Sequence, residues 1–326
     1  MIFYTVCTLS HLFQARILAR SLRAAHPEAK LYVGLVDRLT PDVDLGPIDR
    51  SAVIEVEHLR IPGFAGMQSK YRIAELCFAC KPYFGSYLMR ECSEADKFVY
   101  VDSDVYVFDR FDHLDAALNS AELVLTPHIC EPVRDGADLE RIVLRAGAYN
   151  AGFFAFRRGS AAVDFLSWFS ERLEADCYGW AGDQVWLALA PTFFPNVHVD
   201  RHPGMNMAAW NVRNRHLSMR GGKIECNGSP LVFYHYSGFD PKAPDRASGV
   251  PGLGASRGDR PDLWLALDAI RPLLLESSAD PLRTRRSPFG RVDAPRRPSP
   301  GWVQAIRGIV RRSGFDVVRA GRDGPI

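Results

Sequence analysis

The sequence predicts an α/β fold with a mainly parallel central sheet. Short apolar runs alternate with helical patterns through the first half of the chain, which is typical of βαβ units. Of the 326 residues, 47% are hydrophobic and 24% are charged, so the chain can bury a substantial core in one large domain or two smaller ones. Strands are expected near 2–7, 31–36, 53–56, 97–101, 122–126, 152–157, 196–200 and 231–235, and helices near 11–25, 68–91, 161–173, 182–190 and 263–275.

The first strand and the helix after it illustrate the pattern. Residues 1–6 form an apolar run, and the helix near 11–25 places Ile17, Leu18 and Leu22 on one face. The first run has neither a basic flank nor a small-residue cleavage site, and the chain has no apolar run of about eighteen residues. We therefore expect neither a signal peptide nor a membrane span.

The cysteines indicate a reducing compartment. Their number, seven, is odd, and they are scattered through strand-like and helix-like segments, so a cytoplasmic location is expected. Cys77 and Cys80 form a C-x-x-C pattern inside the helical stretch 68–91. No second pair of Cys or His residues lies nearby, so two small buried side chains are expected there rather than a zinc or redox site.

The strand near 97–101 ends in two acids, Asp102 and Asp104, separated by Ser103. Ligands bind open α/β sheets at the carboxyl ends of their strands. Hard carboxylate oxygens at that edge favour Mg²⁺ or Mn²⁺ over softer metals. The pattern predicts either a divalent metal site or a polar turn that closes the strand.

A second strand, near 231–235, places His235 at its end. A neutral imidazole is a suitable third ligand for Mn²⁺, although a histidine at a strand end is also typical of a simple hydrogen-bonded residue. Gly238 would allow the following loop to approach a ligand closely, and Lys242 could contact phosphate.

Polar side chains also accompany two further elements. Asn150 precedes the apolar strand near 152–157, and Asp183 and Gln184 lie in the first turn of the helix near 182–190. Asp183 is open to a second interpretation as a helix-capping acid. Facing a pocket, these groups would suit a hydroxyl-rich ligand, and the nearby Trp180 would suit the apolar face of a sugar ring.

Four motifs in this order resemble those of the retaining GT-A glycosyltransferases of family 8, the glycogenin and bacterial lipopolysaccharide galactosyltransferase type. They are Asp-Ser-Asp after a strand, Asn-Ala-Gly-Phe-Phe, Gly-Asp-Gln, and His-x-x-Gly followed by Lys, and the resemblance covers about residues 1–243. It implies a GT-A fold with a single Rossmann-like nucleotide-sugar-binding domain. It also implies metal-dependent transfer of a hexose from a nucleotide diphosphate sugar to a glycan or lipid-linked acceptor, with retention, in polysaccharide biosynthesis.

The resemblance also assigns roles to residues. The resemblance implies that Asp102, Asp104 and His235 are the ligands of a Mn²⁺ or Mg²⁺ ion. Catalytic roles are implied for Gln184, near the reacting face of the anomeric carbon, and for Asp183. Donor binding is implied for Thr8, Ser10, Lys81, Asp102, Ser103, Asn150, Gly238 and Lys242.

The chain departs from the family pattern in two places. Family members often have a donor-binding acid in the strand after the metal motif, but here that strand ends in Thr126, Pro127 and His128, which leaves the donor sugar open. Lys242 also comes one residue later than in the family. The position of residues 206–211 suggests the acceptor side of the site.

Two functions other than glycosyl transfer are open to a chain with these motifs. A sugar-1-phosphate nucleotidyltransferase needs a Gly-rich, basic loop after its first strand, and residues 8–13 contain no Gly. A non-catalytic nucleotide-sugar or glycan-binding scaffold of the same fold would have no use for three potential metal ligands from separate segments.

The charge of the chain is unevenly distributed. From Pro281 onward there are eleven Arg, no Lys and three Asp, a net charge of +8, so residues 1–280 have −6 out of the total of +2. An acidic body is evidence against a nucleic-acid partner, whereas a basic tail indicates an anionic one.

The end of the chain differs in composition from the body. Residues 244–300 are expected to be a Gly/Pro/Arg-rich extension with one short helix and a flexible linker at 279–300, and residues 301–326 a basic amphipathic helix and tail. That helix could make peripheral contact with the inner face of a membrane, or dock on the protein itself or on a partner.

Overall fold

The computed structural model describes residues 1–134, 136–179, 181–249 and 255–291. The strands of this part of the chain are β1 (Ile2–Cys7), β2 (Lys30–Leu35), β3 (Val53–Glu55), β4 (Lys97–Val101), β5 (Val105–Val107), β6 (Leu123–Pro127), β7 (Tyr149–Arg157), β8 (Val197–Val199), β9 (Met207–Ala208), β10 (Leu217–Arg220), β11 (Lys223–Cys226), β12 (Ser229–Pro230) and β13 (Phe233–His235). Its α-helices are α1 (Leu12–Ala25), α2 (Phe64–Lys70), α3 (Ile73–Glu91), α4 (Asp112–Ser120), α5 (Ala137–Ala146), α6 (Ser160–Ala175), α7 (Gln184–Leu187), α8 (Ala190–Phe193) and α9 (Trp264–Glu276).

Within the described residues, seven strands form a central sheet in the order β3-β2-β1-β4-β7-β6-β8. Neighbouring strands are parallel except where β7 pairs with β4 and with β6. The prediction of an α/β fold with a mainly parallel sheet is confirmed. Because β7 runs opposite to β4, the start of β7 lies beside the end of β4, and the Asp102 amide donates to the Gly152 carbonyl at 2.8 Å.

A small second sheet, in the order β5-β13-β9, extends this edge. In it His235 pairs with Val105 across an antiparallel ladder and with Ala208 across a parallel one. Because Val105 follows Asp104 directly, this register brings the end of β13 to the acids that follow β4. A third sheet consists of β10, β11 and β12.

The core lies on both faces of the central sheet. On one face α3 and α6 pack over the aromatic residues of β4 and β7, and on the other face α1 and α4 cover the opposite side. Residues of β1, β4 and β6 are buried along the whole strand, as expected for strands covered on both faces.

Several expected elements have different bounds. The helix predicted over 68–91 is two helices, because Tyr71 is extended and Arg72 begins a new helix in which the Glu75 carboxylate accepts from the Arg72 amide. The helix predicted over 182–190 is the single turn α7, followed by α8. Strand β7 begins at Tyr149, so Asn150 lies within the strand rather than before it.

The segment after residue 243 packs on the body. Helix α9 lies in an apolar cluster with Phe13, Ile17 and Tyr234. In the stretch predicted as a flexible linker, Phe289 is buried and Ser287 donates to the Val36 carbonyl at 2.9 Å, so residues 279–291 are attached to the domain. The rest of that stretch, 292–300, and the helix predicted within 301–326 lie outside the described residues.

None of the helices in the described ranges has the length and apolarity needed to cross a membrane. The seven cysteines, all in these ranges, form no disulfide, and Cys80 of the C-x-x-C pair is fully buried inside α3.

Candidate functional site

A cleft of about 770 Å³ opens at the edge where β1 and β4 end and β7 begins. One wall is formed by α3, another by α5 and the start of α7. The floor contains polar groups from the ends of several strands. The cleft is lined by these sequence-predicted site residues: Thr8, Lys81, Asp102, Ser103, Asp104, Asn150, Asp183, Gln184 and His235.

Three of the lining residues have donor atoms arranged as for one metal ion. The donor atoms of Asp102, Asp104 and His235 lie within 4.8 Å of one another, and they are the one such group of His, Cys, Asp and Glu among the described residues. His235 Nε2 is 3.0 Å from Asp104 Oδ1 and 4.0 Å from Asp102 Oδ2. Two hard oxygens and one imidazole nitrogen at this spacing fit Mn²⁺ or Mg²⁺.

The electrostatics of this cluster favour its charged forms. Burial alone would lower the pKa of His235, but the Asp104 carboxylate outweighs burial and raises it. Burial disfavours the Asp104 carboxylate, but the adjacent His235 lowers the pKa of Asp104 below its ordinary value. His235 Nδ1 is buried without a hydrogen-bond partner among the described residues, so Nε2 is the nitrogen that faces the acids.

Lys81 joins the two sides of the cleft. Its ammonium lies 2.7 Å from Asp183 Oδ2 and 3.1 Å from Asp102 Oδ1, and it donates to the Ala151 carbonyl. Burial would lower the pKa of Lys81, but the two carboxylates outweigh burial and raise it, so the side chain stays charged. Asp183 makes no side-chain cap hydrogen bond to α7, so its carboxylate serves this ion pair instead.

Gly152 makes the convergence possible. A Cβ at this position would lie 2.6 Å from His235 Cε1, 2.7 Å from Asn150 Oδ1 and 2.8 Å from Asp102 Oδ2. Because such contacts are shorter than real Cβ atoms show, only glycine allows these three side chains to meet over β7.

Asn150 lies beside this convergence and contacts Gln184. Asn150 Nδ2 lies 3.1 Å from His128 Nε2 and 3.5 Å from Gln184 Oε1, and Asn150 Oδ1 accepts from the Gly152 amide. His128, directly after β6, is buried, and burial lowers its pKa to about 4. It therefore enters this network as a neutral imidazole.

The other residues for which donor binding is predicted are less enclosed. Thr8 lines the cleft, while Ser10 lies on the turn beyond it, 2.9 Å from the Thr8 hydroxyl. Ser103 donates to Gln14 Oε1 at 3.1 Å. Gly238 and Lys242 line a neighbouring cavity of about 330 Å³, which shares Gln14 and Asp104 with the cleft, rather than the cleft itself. Gly238 has a φ of +74°, a conformation that favours glycine.

Sequence reasoning gave no individual role to two aromatic residues that line the cleft, Trp210 and Tyr100, although Trp210 lies in the stretch 206–211 expected on the acceptor side. Trp210 packs edge-on against both His128 and His235, at centroid distances of 5.6 and 5.1 Å. Tyr100, within β4, donates to Asp102 Oδ1. Only the period-2 alternation of β4 could have indicated that Tyr100 and Asp102 share a face. Residues 206–211 place Trp210 and Ala209 in the cleft, while Trp180 lies outside the described residues.

Comparisons with known proteins give distant relatives. No family model matches the chain. The uncharacterized proteins YfnF and YfnD of Bacillus subtilis (strain 168) are 25% identical over 256 residues and 26% identical over 249 residues. These alignments cover 72% and 73% of this chain and 80% and 77% of the relatives.

Three solved structures are similar at low identity. The galactosyltransferase LgtC, in complex with donor and acceptor sugar analogs, is 16% identical with a TM-score of 0.48, covering 85% of this chain and 96% of that one. A glycosyltransferase involved in glycosylation of the major capsid of PBCV-1 is 12% identical with a TM-score of 0.42 and coverages of 73% and 94%. Mouse xyloside xylosyltransferase 1 is 12% identical with a TM-score of 0.40 and coverages of 73% and 98%.

Proposed function

We propose that this chain is a metal-dependent glycosyltransferase of the GT-A type that moves a hexose from a nucleotide diphosphate sugar to a glycan or lipid-linked acceptor. The observation that supports this most is the meeting of Asp102, Asp104 and His235 within 4.8 Å at the floor of a large cleft. The order of the four sequence motifs supports it independently.

The metal site would face the diphosphate. Asp102, Asp104 and His235 would hold Mn²⁺ or Mg²⁺, which supplies charge stabilisation at the phosphate oxygens when bound. Lys81 holds the Asp102 and Asp183 carboxylates in position through its two ion pairs. Thr8 and Ser103 would contact the nucleotide, with Ser10, Gly238 and Lys242 closing the site from beyond the cleft.

Asn150, Asp183 and Gln184 would surround the donor sugar. Amide and carboxylate groups suit sugar hydroxyls, and Gln184 would lie beside the reacting face of the sugar. Neutral His128 follows the strand in which family members often have an acid. Its two ring nitrogens already bind the Gly147 carbonyl and Asn150, so a hydroxyl that an acid would bind needs another partner here.

Retention of the anomeric configuration is part of the proposal. Asp183 is paired with Lys81 at 2.7 Å and buried, so it is held in an ion pair instead of being free to attack carbon. This arrangement favours attack of the acceptor on the same face as the departing phosphate, with the phosphate taking the acceptor's proton.

A thermal-shift screen of nucleotide diphosphate sugars with Mn²⁺ tests the function. One donor should stabilise the wild type, by about 2.7 kcal/mol at a hundred times its Kd. Asp104→Asn should abolish that shift, while Asp164→Asn, an exposed acid of α6, should keep it. A shift that survives excess chelator would contradict the metal role.

The two alternative functions predict different results. A sugar-1-phosphate nucleotidyltransferase would be stabilised by a nucleoside triphosphate, but β1 leads into a short turn over Leu9–His11 that has no glycine. A scaffold would bind a donor without consuming it when acceptors are supplied.

The proposal also includes the location of the protein in the cell and its contact with a membrane. Unpaired cysteines support a cytoplasmic site of polysaccharide biosynthesis. Contact of residues 301–326 with an anionic membrane is tested by flotation with liposomes, comparing the full chain with residues 1–291. Equal flotation of the two would contradict it.

A further inference from the structure

Two apolar stripes, one on α3 and one on α5, line the cleft beside its polar floor. The α3 stripe consists of Ile73, Ala74, Cys77 and Phe78, and the α5 stripe of Leu139, Ile142, Val143 and Ala146. In both stripes the residues are spaced by one, three or four positions, so they share one face of their helix. The cleft is therefore polar at its floor and apolar between these two helices.

The middle of the α5 stripe is open to the cleft, whereas Leu139 and Ala146 at its ends are buried. Ile142 and Val143 are half-buried, and they belong to none of the apolar core clusters of the described residues. Apolar side chains that line an open cleft in this way gain free energy only when a ligand covers them. Sugar hydroxyls would find no partners here, because the α5 stripe has no side-chain donor or acceptor.

The α5 stripe adjoins the sugar end of the cleft. Helix α5 packs against α7, which begins with Gln184. The link is Gly147 at the end of α5, where a Cβ would lie 2.4 Å from the Gln184 carbonyl oxygen. A group that extends past Gln184 towards this helix therefore comes to the α5 stripe.

The rim of this region is positive. Arg145 of α5 lines the cleft, is exposed, and has no ion pair within the part of the chain that the structure describes. An apolar passage with a cation at its rim complements an amphiphile whose apolar chain is joined to its sugar through an anionic group.

We propose that the acceptor is amphiphilic, and that an alkyl or isoprenoid chain attached to its sugar lies between the α3 stripe and the α5 stripe. This further proposal rests on the proposed function in one respect: it takes the ligand at this end of the cleft to be the acceptor. It selects a lipid-linked acceptor over a free glycan.

Paired methyl and octyl pyranosides test the proposal. Binding of the glucose, galactose, mannose and N-acetylglucosamine pairs is measured by calorimetry, below the concentration at which the octyl compounds form micelles. At least one octyl glycoside should bind about tenfold or more tightly than its methyl partner, because each buried methylene contributes to affinity. Equal affinities within every pair would overturn the proposal.

Variants on α5 locate the effect. Ile142→Asn and, separately, Val143→Asn should reduce the octyl preference to about threefold or less. The matched control is Leu144→Asn on the same helix, because Leu144 is 81% exposed and does not line the cleft. It should keep the full preference. If all three variants behave alike, the alkyl chain binds elsewhere and the proposal fails.

The measurement is made with and without Mn²⁺ and a nucleoside diphosphate, and each variant is first checked by thermal melting. If the wild type does not bind the nucleoside diphosphate, the proposed function is contradicted, irrespective of the glycoside affinities. If the wild type binds the nucleoside diphosphate but shows no octyl preference, only the proposal of an amphiphilic acceptor is contradicted. A preference for a nucleobase or a free oligosaccharide at the stripes would overturn it as well.

Discussion

At the scale of single residues, Lys81 is the group on which the site's charge balance depends. Its side chain is 3% exposed, and its two carboxylate partners come from β4 and the start of α7, segments far apart in sequence. A buried ammonium is stable only when paired, and a buried carboxylate that loses its partner is costly. Lys81 therefore couples Asp102, in the candidate metal site, to Asp183 at the start of α7.

We expect Lys81→Met to destabilise the fold by about 3–5 kcal/mol, because it leaves buried Asp183 unpaired. Asp183→Asn combined with Lys81→Met should recover part of that loss, which urea denaturation of the single and double variants would measure. Arg38→Met, which breaks the exposed pair with Glu57, should have little effect. Additive losses in the Lys81 and Asp183 variants would show that the two residues do not interact.

Gly152→Ala should damage the metal site more than the fold. Its Cβ would press on His235, Asn150 and Asp102, at a cost of about 1–3 kcal/mol for overpacking. We expect the thermal shift caused by Mn²⁺ to disappear. Gly66→Ala in α2, where no atom lies within 4 Å of the added Cβ, is the control and should leave the shift unchanged. An unchanged shift in Gly152→Ala would contradict the placement of the metal.

His128 should make stability depend on pH. Burial lowers its folded pKa to about 4 from the ordinary 6.5, so the folded state favours the neutral ring. The stability that this provides is complete above pH 6.5 and is lost as the pH falls from 6.5 towards 4, by up to about 3 kcal/mol. Denaturation of His128→Gln between pH 4 and 7.5 should show a shallower slope than the wild type. Parallel slopes would contradict this.

At the scale of elements, the sequence identified the strands that present the ligands but not the way they meet. The acids after β4 and the histidine of β13 follow from apolar runs that end in polar residues, and both strands occur as expected. Their meeting depends on the β5-β13 register and on the antiparallel course of β7, and neither is encoded locally. The residue type of Asn150 predicts that it belongs to the site, but the sequence pattern does not predict that it lies inside β7.

Helix α5 shows why the rest was missed. Its apolar residues recur with helical spacing, and two of them, Ile142 and Val143, face the cleft rather than a core cluster. The helix is short and directly follows a stretch rich in Pro and charged residues, which is typical of a loop. Helices α2 and α3 were merged because the break at Tyr71 comes from tertiary contacts, in which the Tyr71 hydroxyl donates to the Leu173 carbonyl at 2.7 Å. Side chains that bind distant backbone cannot be recognised from local patterns.

At the scale of the whole molecule, the chain after residue 243 completes the domain. Leu263, just before α9, and Trp264 and Leu267 of α9 are buried with side chains of α1 and β13. Asp280 forms a 2.6 Å ion pair with Arg16 of α1. The same region borders the cavity of Gly238 and Lys242, through Leu274 and Ser278. The extension therefore supports both α1 and the loop that follows His235.

A chain that ends at residue 243 should consequently fold poorly, although sequence composition places the domain boundary there. Removing the residues after 243 would expose Phe13, Ile17 and Tyr234 and leave Arg16 without its partner Asp280. Comparison of residues 1–243 with residues 1–291 by thermal melting and dye binding should show a cooperative transition only for the longer chain. A cooperative transition in residues 1–243, with Mn²⁺ binding intact, would show instead that α9 and the contacts after it contribute little to the stability of the α/β body.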